Sequence, residues 1–125
     1  RTGAAGVACM MSPWKGDYER RALLHAKCTG DHPESVPDTH GSPTMGMAFA
    51  ALAANADPQS FRRLMDANRW WFTLSRCSDD GTFYYQPNRD NAGYGEDSRR
   101  KPTAVVALIF SIPQRNLAIT GKKIR

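Results

Sequence analysis

Three segments of the chain place a run of small or apolar residues directly after a polar leader. They are residues 2–8, 42–48 and 101–107, and the second follows the loop Asp38-Thr39-His40-Gly41. Small side chains let a second helix approach closely, and Ser-Pro is typical of a helix start. We therefore predict three inner helices that pack side by side in a loose repeat. Chance similarity between alanine-rich helices is the alternative.

The segments between these runs predict amphipathic outer helices. Gly16-Asp17 opens one, with Asp17 as its cap, and Thr29-Gly30 closes it. Asp57-Pro58 opens another, in which apolar and small side chains recur at helical spacing. That inward set is Phe61, Leu64, Met65, Asn68, Phe72 and Ser75. The outward set is Arg62, Arg63, Asp66 and Arg69. The predicted fold is all-α and built from antiparallel helical hairpins, as a single domain over residues 1–125.

The C-terminal third adds a turn and a last helix. Asp79-Asp80-Gly81 predicts a turn, and residues 82–86 predict a short aromatic extended segment. A polar loop then leads to a helix over residues 103–111, followed by a tail that is either a short strand or irregular. Met45 and Met47 are expected to fill the core. Of the adjacent Trp70 and Trp71, only one can point fully inwards.

These pieces resemble the α/α-toroid superfamily, which includes terpenoid cyclases, protein prenyltransferase β-subunits and squalene-cyclase repeats. More closely, the chain is similar to the C-terminal region of an uncharacterised bacterial toroid family known by a domain-of-unknown-function label. The similarity covers roughly residues 38–123. The similarity rests on His40-Gly41 before Met45-Gly46-Met47, residues 70–76, Asp80-Gly81-Thr82-Phe83 and Ile112-Pro113.

The resemblance implies a partial α/α-toroid and no particular reaction. The Asp-rich acid motif of squalene-type cyclases is not recognisable, since Asp79-Asp80 lies in a predicted turn before glycine. The zinc arrangement of prenyltransferase subunits is not recognisable either. Both absences argue against transferring those activities to this chain.

Two polar loops, each before an inner helix, carry the candidate functional residues. If both loops surround one mouth of a toroid, a histidine beside carboxylates can act as a general acid–base near neutral pH. The predicted catalytic residues are Asp38, His40 and Asp97. The predicted ligand contacts are Tyr94, Glu96 and Trp70. The alternative is structural, with the aspartates as caps or loop ties, His40 as a hydrogen-bonded corner and Tyr94 as a packed lid.

Cys28, His32 and His40 are residues of zinc-ligand type, but their spacing matches no standard zinc motif. We therefore predict no metal and no cofactor. The net charge is +5, and no acid follows Asp97, which is compatible with weak binding of a polyanion. We favour the alternative, in which these cations belong to a solvated tail and lie near helix ends. No aromatic is interleaved among those cations, so we do not expect nucleic acid as a partner. No apolar run is long enough to span a bilayer.

The predicted function is binding of a small molecule or glycan, extending to action on a carbohydrate or polyisoprenoid-like substrate. The alternative is a non-catalytic scaffold or interaction module. In that case the small-residue helices pack against other helices of a larger chain or of a second copy. The chain does not begin with Met, which we interpret as the sign of a processed or excised piece. The sequence assigns neither a reaction nor a compartment.

Overall fold

The computed structural model describes residues 1–38, 42–87 and 99–121. These residues form six α-helices: α1 (Thr2–Met11), α2 (Asp17–Asp31), α3 (Pro43–Ala54), α4 (Pro58–Ala67), α5 (Arg69–Ser75) and α6 (Arg100–Ser111). Short 3-10 helices lie at Pro33–Ser35, Ile112–Gln114 and Ala118–Thr120. The described ranges hold no regular strand, so the predicted all-helical class is confirmed. Within them, every helix is too short or too polar to cross a bilayer.

Helix α3 is the centre of the fold. It packs against α1, α2, α4 and α6, and residues 50–54 are buried throughout. Ser42 and Pro43 begin it, as predicted, with the proline in the first helical position. Met47 is fully buried, whereas Met45 is 42% exposed. The prediction that both methionines fill the core is therefore right for Met47 only.

Two glycines bring α1 against α3. A Cβ on Gly3 would lie 2.7 Å from the carbonyl carbon of Phe49 and from the nitrogen of Ala50. A Cβ on Gly6 would lie 2.8 Å from the Cβ of Ala53. A step of three residues along α1 thus moves the contact three residues along α3, so the two helices run in the same direction. As predicted, small residues let these helices pack closely, and α6 also packs on α3.

Helices α2 and α4 form an outer pair that meets at Gly30. A Cβ on this glycine would lie 2.6 Å from both the Cα and the Cβ of Ser60. The prediction that Thr29-Gly30 ends α2 is wrong, because the helix continues to Asp31. The Thr29 hydroxyl donates to the backbone carbonyl of His25 at 2.9 Å and stays within the helix. Gly30 serves close helix packing instead of a left-handed helix end.

Aspartates at the two outer helix starts have different roles. Asp57 caps α4 by accepting a hydrogen bond from the Ser60 N–H at 3.1 Å. A second hydrogen bond, from the Ser60 hydroxyl, is the main cause that lowers the pKa of Asp57. Asp17 was predicted to cap α2, but it is the first helical residue, because Gly16 takes the boundary position with φ of 80°.

The predicted long outer helix is divided at Asn68. This residue is 1% exposed, and its amide donates to the carbonyls of Leu64 and Pro33, both at 3.0 Å. The predicted inward set is nevertheless buried or half-buried on α4 and α5, and the predicted outward set is exposed. Trp71 is 1% exposed and Trp70 50% exposed, which confirms that only one of the pair points inwards.

The turn predicted before Gly81 is confirmed, and Gly81 adopts a φ of 72°. The aromatic segment after it makes a single antiparallel bridge, between Arg76 and Phe83, so a regular extended segment is not confirmed. Helix α6 begins at Arg100, earlier than predicted, because Pro102 is tolerated in a first helical turn. The described tail forms the 3-10 helix Ala118–Thr120 instead of a strand.

Candidate functional site

A cavity of about 330 Å³ opens beside α3, between the start of α1 and the end of α2, and it extends along α3 from Ser42 to Ala50. Residues 1–4 form one wall, and Cys28 and His32 form a second. The third wall comes from α3, through Ser42, Met45 and Phe49. Three segments that are distant in sequence therefore build this cavity.

Both helix starts that face the cavity lack a side-chain cap. Ser42 holds the N-cap position of α3, where a serine hydroxyl usually accepts a hydrogen bond from the first backbone N–H groups. Here the Ser42 Oγ is buried and has no hydrogen-bond partner among residues 1–38, 42–87 and 99–121. The first N–H groups of α1 and those of α3 each give their part of the cavity a partial positive charge.

Among the described residues, the cavity lining includes Arg1 and His32 but no aspartate or glutamate. The Nδ1 of His32 lies 3.7 Å from the Oε1 of Glu34, which does not line the cavity. The carbonyls at the end of α2 oppose this charge, and two of them already have donors. The His32 N–H binds the Cys28 carbonyl at 3.1 Å, and the Ser35 hydroxyl binds the His32 carbonyl at 2.9 Å. The site is therefore electropositive at its polar end.

The other part of the cavity is apolar. Met45 and Phe49 lie one turn apart on α3, and both line the cavity together with Val36. Phe49 is 38% exposed although it lies on the central helix. The cavity thus combines a positive end with an apolar wall, an arrangement that can bind a ligand with an anionic head and an apolar body.

The family model for the domain of unknown function DUF6288 matches residues 2–121. The chain belongs to this family. Comparison of the DUF6288 chain with curated proteins and with solved structures gave no match. Membership of an uncharacterised domain-of-unknown-function family is thereby confirmed, while the relation to the toroid superfamily and the bacterial origin stay predictions.

The structure describes two of the six predicted site residues of this DUF6288 domain. Asp38 is exposed and Trp70 is half exposed, and neither lines the cavity. The other four lie outside the described residues, so the proposed meeting of the two loops stays a prediction. They are His40, Tyr94, Glu96 and Asp97.

Two of the three zinc-type residues, Cys28 and His32, do line the cavity. His40, the third, lies outside the described residues. Within residues 1–38, 42–87 and 99–121, no group of three or more His, Cys, Asp or Glu side chains is placed to hold a metal ion.

A second polar cluster surrounds Cys77, which is buried. The Nη1 of Arg99 lies 3.4 Å from the Cys77 Sγ and 3.0 Å from the Asp80 Oδ2. The Thr82 hydroxyl and N–H donate to the Asp80 Oδ1 at 2.7 and 3.0 Å, and these bonds lower the pKa of Asp80 to about 2. Arg99 directly precedes α6, so the cluster ties the turn at residues 78–81 to the start of that helix.

Sequence reasoning missed the cavity although it singled out some of its residues. It assigned Ser42 to helix capping and gave Arg1 no role. The available signal was the pair of similar helix starts at residues 2–8 and 42–48. Parallel packing lets both starts line one side of α3, with the start of α1 against Phe49 and Ala50, but only the structure shows that the end of α2 closes the third side.

Proposed function

We propose that this DUF6288 domain binds a small amphipathic anion in the cavity between α1, α2 and α3. The observation that carries the proposal is the hydroxyl of Ser42 at the start of α3, which is buried, does not cap the helix and has no partner in the part of the chain that the structure describes. A carboxylate or phosphate oxygen is the group that accepts from such a hydroxyl and from free helix N–H groups. Arg1 adds a cation beside them.

The apolar wall defines the rest of the ligand. A cavity of about 330 Å³ is at the small end of the range for ligand sites. Met45, Phe49 and Val36 suit a short acyl or polyisoprenoid-like chain that carries an acidic head. A neutral carbohydrate would leave the positive helix ends without a partner, so the lining favours the polyisoprenoid-like alternative over the glycan.

The helix contacts support the α/α-toroid arrangement within a single domain as part of this proposal. Helices α1 and α3 form a parallel inner pair, and α2 packs on α4 outside them. Asp38 precedes the cavity residue Ser42 by four positions. Asp38, His40 and Asp97 remain the candidate acid–base residues, and Tyr94, Glu96 and Trp70 remain the candidate ligand contacts for a reaction on the bound molecule.

Isothermal titration with octanoate, geranyl phosphate and octyl glucoside tests the proposal. We expect both anions to bind and the neutral glucoside not to bind. Ser42→Ala should weaken anion binding about 10- to 100-fold, the effect of one hydrogen bond to a charged group. Ser78→Ala is the matched control, because Ser78 is exposed and does not line the cavity. Equal affinity of the Ser42→Ala variant, or preference for the glucoside, would refute the proposal.

A scaffold or interaction module is the second candidate, and two exposed helix faces favour it. Ala4, Ala8 and Met11 are exposed at helical spacing on α1, and Ala104 and Phe110 are exposed on α6. Such faces suit other helices of a larger chain or of a second copy. Analytical ultracentrifugation over a dilution series tests the second-copy form, since a monomer at every concentration would contradict it.

A further inference from the structure

A second cavity, of about 360 Å³, lies between α4 and the turn that follows α6. It shares no lining residue with the first cavity. One wall is a stripe on α4 whose members recur every three or four residues: Pro58, Phe61, Arg62, Met65 and Asp66. Pro113 and Arg115 form the facing wall. The stripe is about 12 Å long at the rise of an α-helix, the length of about four extended residues.

The two arginines of this groove have no acidic partner among the described residues. Within the described part of the chain, neither Arg62 nor Arg115 forms an ion pair. By contrast, Arg63, which follows Arg62 on α4, does form an ion pair: its Nη1 lies 3.1 Å from the Asp31 Oδ1. The one acid of the groove, Asp66, is already paired with an arginine outside it at 2.8 Å. The groove therefore presents two cations without counter-charge beside an apolar floor.

The backbone of Arg115 is unusual. Its φ of 53° and ψ of 39° place it in the left-handed region, and among the described residues no other non-glycine has a positive φ. Glycine or asparagine holds such a turn with less strain. The turn itself gives no reason for an arginine, whereas the Arg115 side chain lines the groove.

We propose that this groove docks an acidic peptide segment of a partner protein. An apolar side chain of the partner packs between Phe61, Met65 and Pro113, and its flanking carboxylates bind Arg62 and Arg115. Charge complementarity selects this occupant, because guanidinium groups match carboxylates in geometry as well as in charge. The proposal does not depend on ligand binding in the first cavity. Binding of a nucleic acid in the groove is the alternative result that the test must distinguish.

Fluorescence polarisation with the labelled peptide Gly-Glu-Asp-Leu-Phe-Glu-Asp-Gly tests this docking. We expect saturable binding that Arg62→Gln and Arg115→Gly each weaken about two- to fivefold, as for exposed charge pairs. Arg115→Gly is the sharper variant, because glycine suits the left-handed backbone and the fold should be at least as stable. Arg63→Gln removes one charge from the same helix outside the groove and should leave binding unchanged.

Two further peptides test whether both the apolar side chains and the negative charges of the bound segment are needed. Replacing Leu-Phe by Ser-Ser should abolish binding, since charge alone does not fill the apolar floor. A peptide with lysines for its acids should bind the Arg62→Glu/Arg115→Glu variant and not the parent. Three results would overturn the proposal: no binding at low salt, equal weakening by Arg63→Gln, or tighter groove-dependent binding of an oligonucleotide of equal charge.

Discussion

Replacing Gly6 by alanine should force apart a junction of three helices. The new Cβ would lie 2.8 Å from the Ala53 Cβ on α3 and 3.0 Å from the His25 Cβ on α2. Carbon atoms in normal contact are about 3.5–4.0 Å apart, so α1 must shift by about 1 Å. Overpacking of this kind costs about 1–3 kcal/mol, whereas alanine returns about 1 kcal/mol of helix propensity. We expect a net destabilisation of about 1 kcal/mol.

A compensating change distinguishes this steric explanation from a general effect. Ala53→Gly alone should cost about 2 kcal/mol, through one lost buried methyl and the lower helix propensity of glycine. The double variant Gly6→Ala/Ala53→Gly moves the methyl from α3 to α1 and removes the nearest contact. Its stability should lie within about 1 kcal/mol of the parent, although the two single effects add to about 3 kcal/mol. The expected coupling is thus about 2 kcal/mol.

Urea unfolding followed by circular dichroism measures all four proteins of this cycle. The control cycle pairs Ala53→Gly with Ala8→Gly, because Ala8 is exposed on α1 and its effect should simply add. A double variant as unstable as the sum of its single variants would refute the reasoning. So would a Gly6→Ala protein that is more stable than the parent.

Three other substitutions test individual contacts by urea unfolding. Asp57→Ala removes the cap of α4 and should cost about 1 kcal/mol at neutral pH. Because Ser60 lowers the folded-state pKa of Asp57, this contribution is present above the unfolded pKa of about 3.9 and is lost as the pH falls through the folded value. A difference that persists in strong acid would contradict this cause. Asp80→Asn should flatten the pH dependence of the free energy of unfolding between pH 3.8 and about 2, because the pKa of Asp80 is lowered over this range. An unchanged slope would refute this role of Asp80. Asn68→Ala should cost about 2 kcal/mol, because two hydrogen bonds of the buried amide are lost, and parent-like stability would contradict their role.

Signals that act within one turn of helix were sufficient to predict most helix starts. Pro43 and Pro58 fix the first helical dihedral angle, and the Asp57 carboxylate binds its own helix. The inward and outward faces of α4 were also predictable, because each depends on helical spacing alone. These features need no knowledge of the other helices.

The predictions were wrong where a contact with a residue distant in sequence decides the role of a side chain. Gly30 has the pattern of a helix end, but Ser60 on α4 requires a glycine inside the helix. Asn68 fits the inward face, yet its bond to Pro33 accompanies the break between α4 and α5. Met45 is an apolar residue of a type common in protein cores, but it lines the cavity instead. Local sequence cannot separate these alternatives, because the deciding contact is tertiary.

The spacing of Gly3 and Gly6 has a consequence for how the chain avoids misfolding. If α1 slid along α3 by one turn, Val7 and Met10 would occupy their places, where even a methyl group does not fit. Burial of apolar surface alone would hardly oppose such a slide, because α1 carries alanine, valine or methionine on most of its circumference. The two glycines therefore act as a steric key that opposes this slide and favours the register in which both backbones meet.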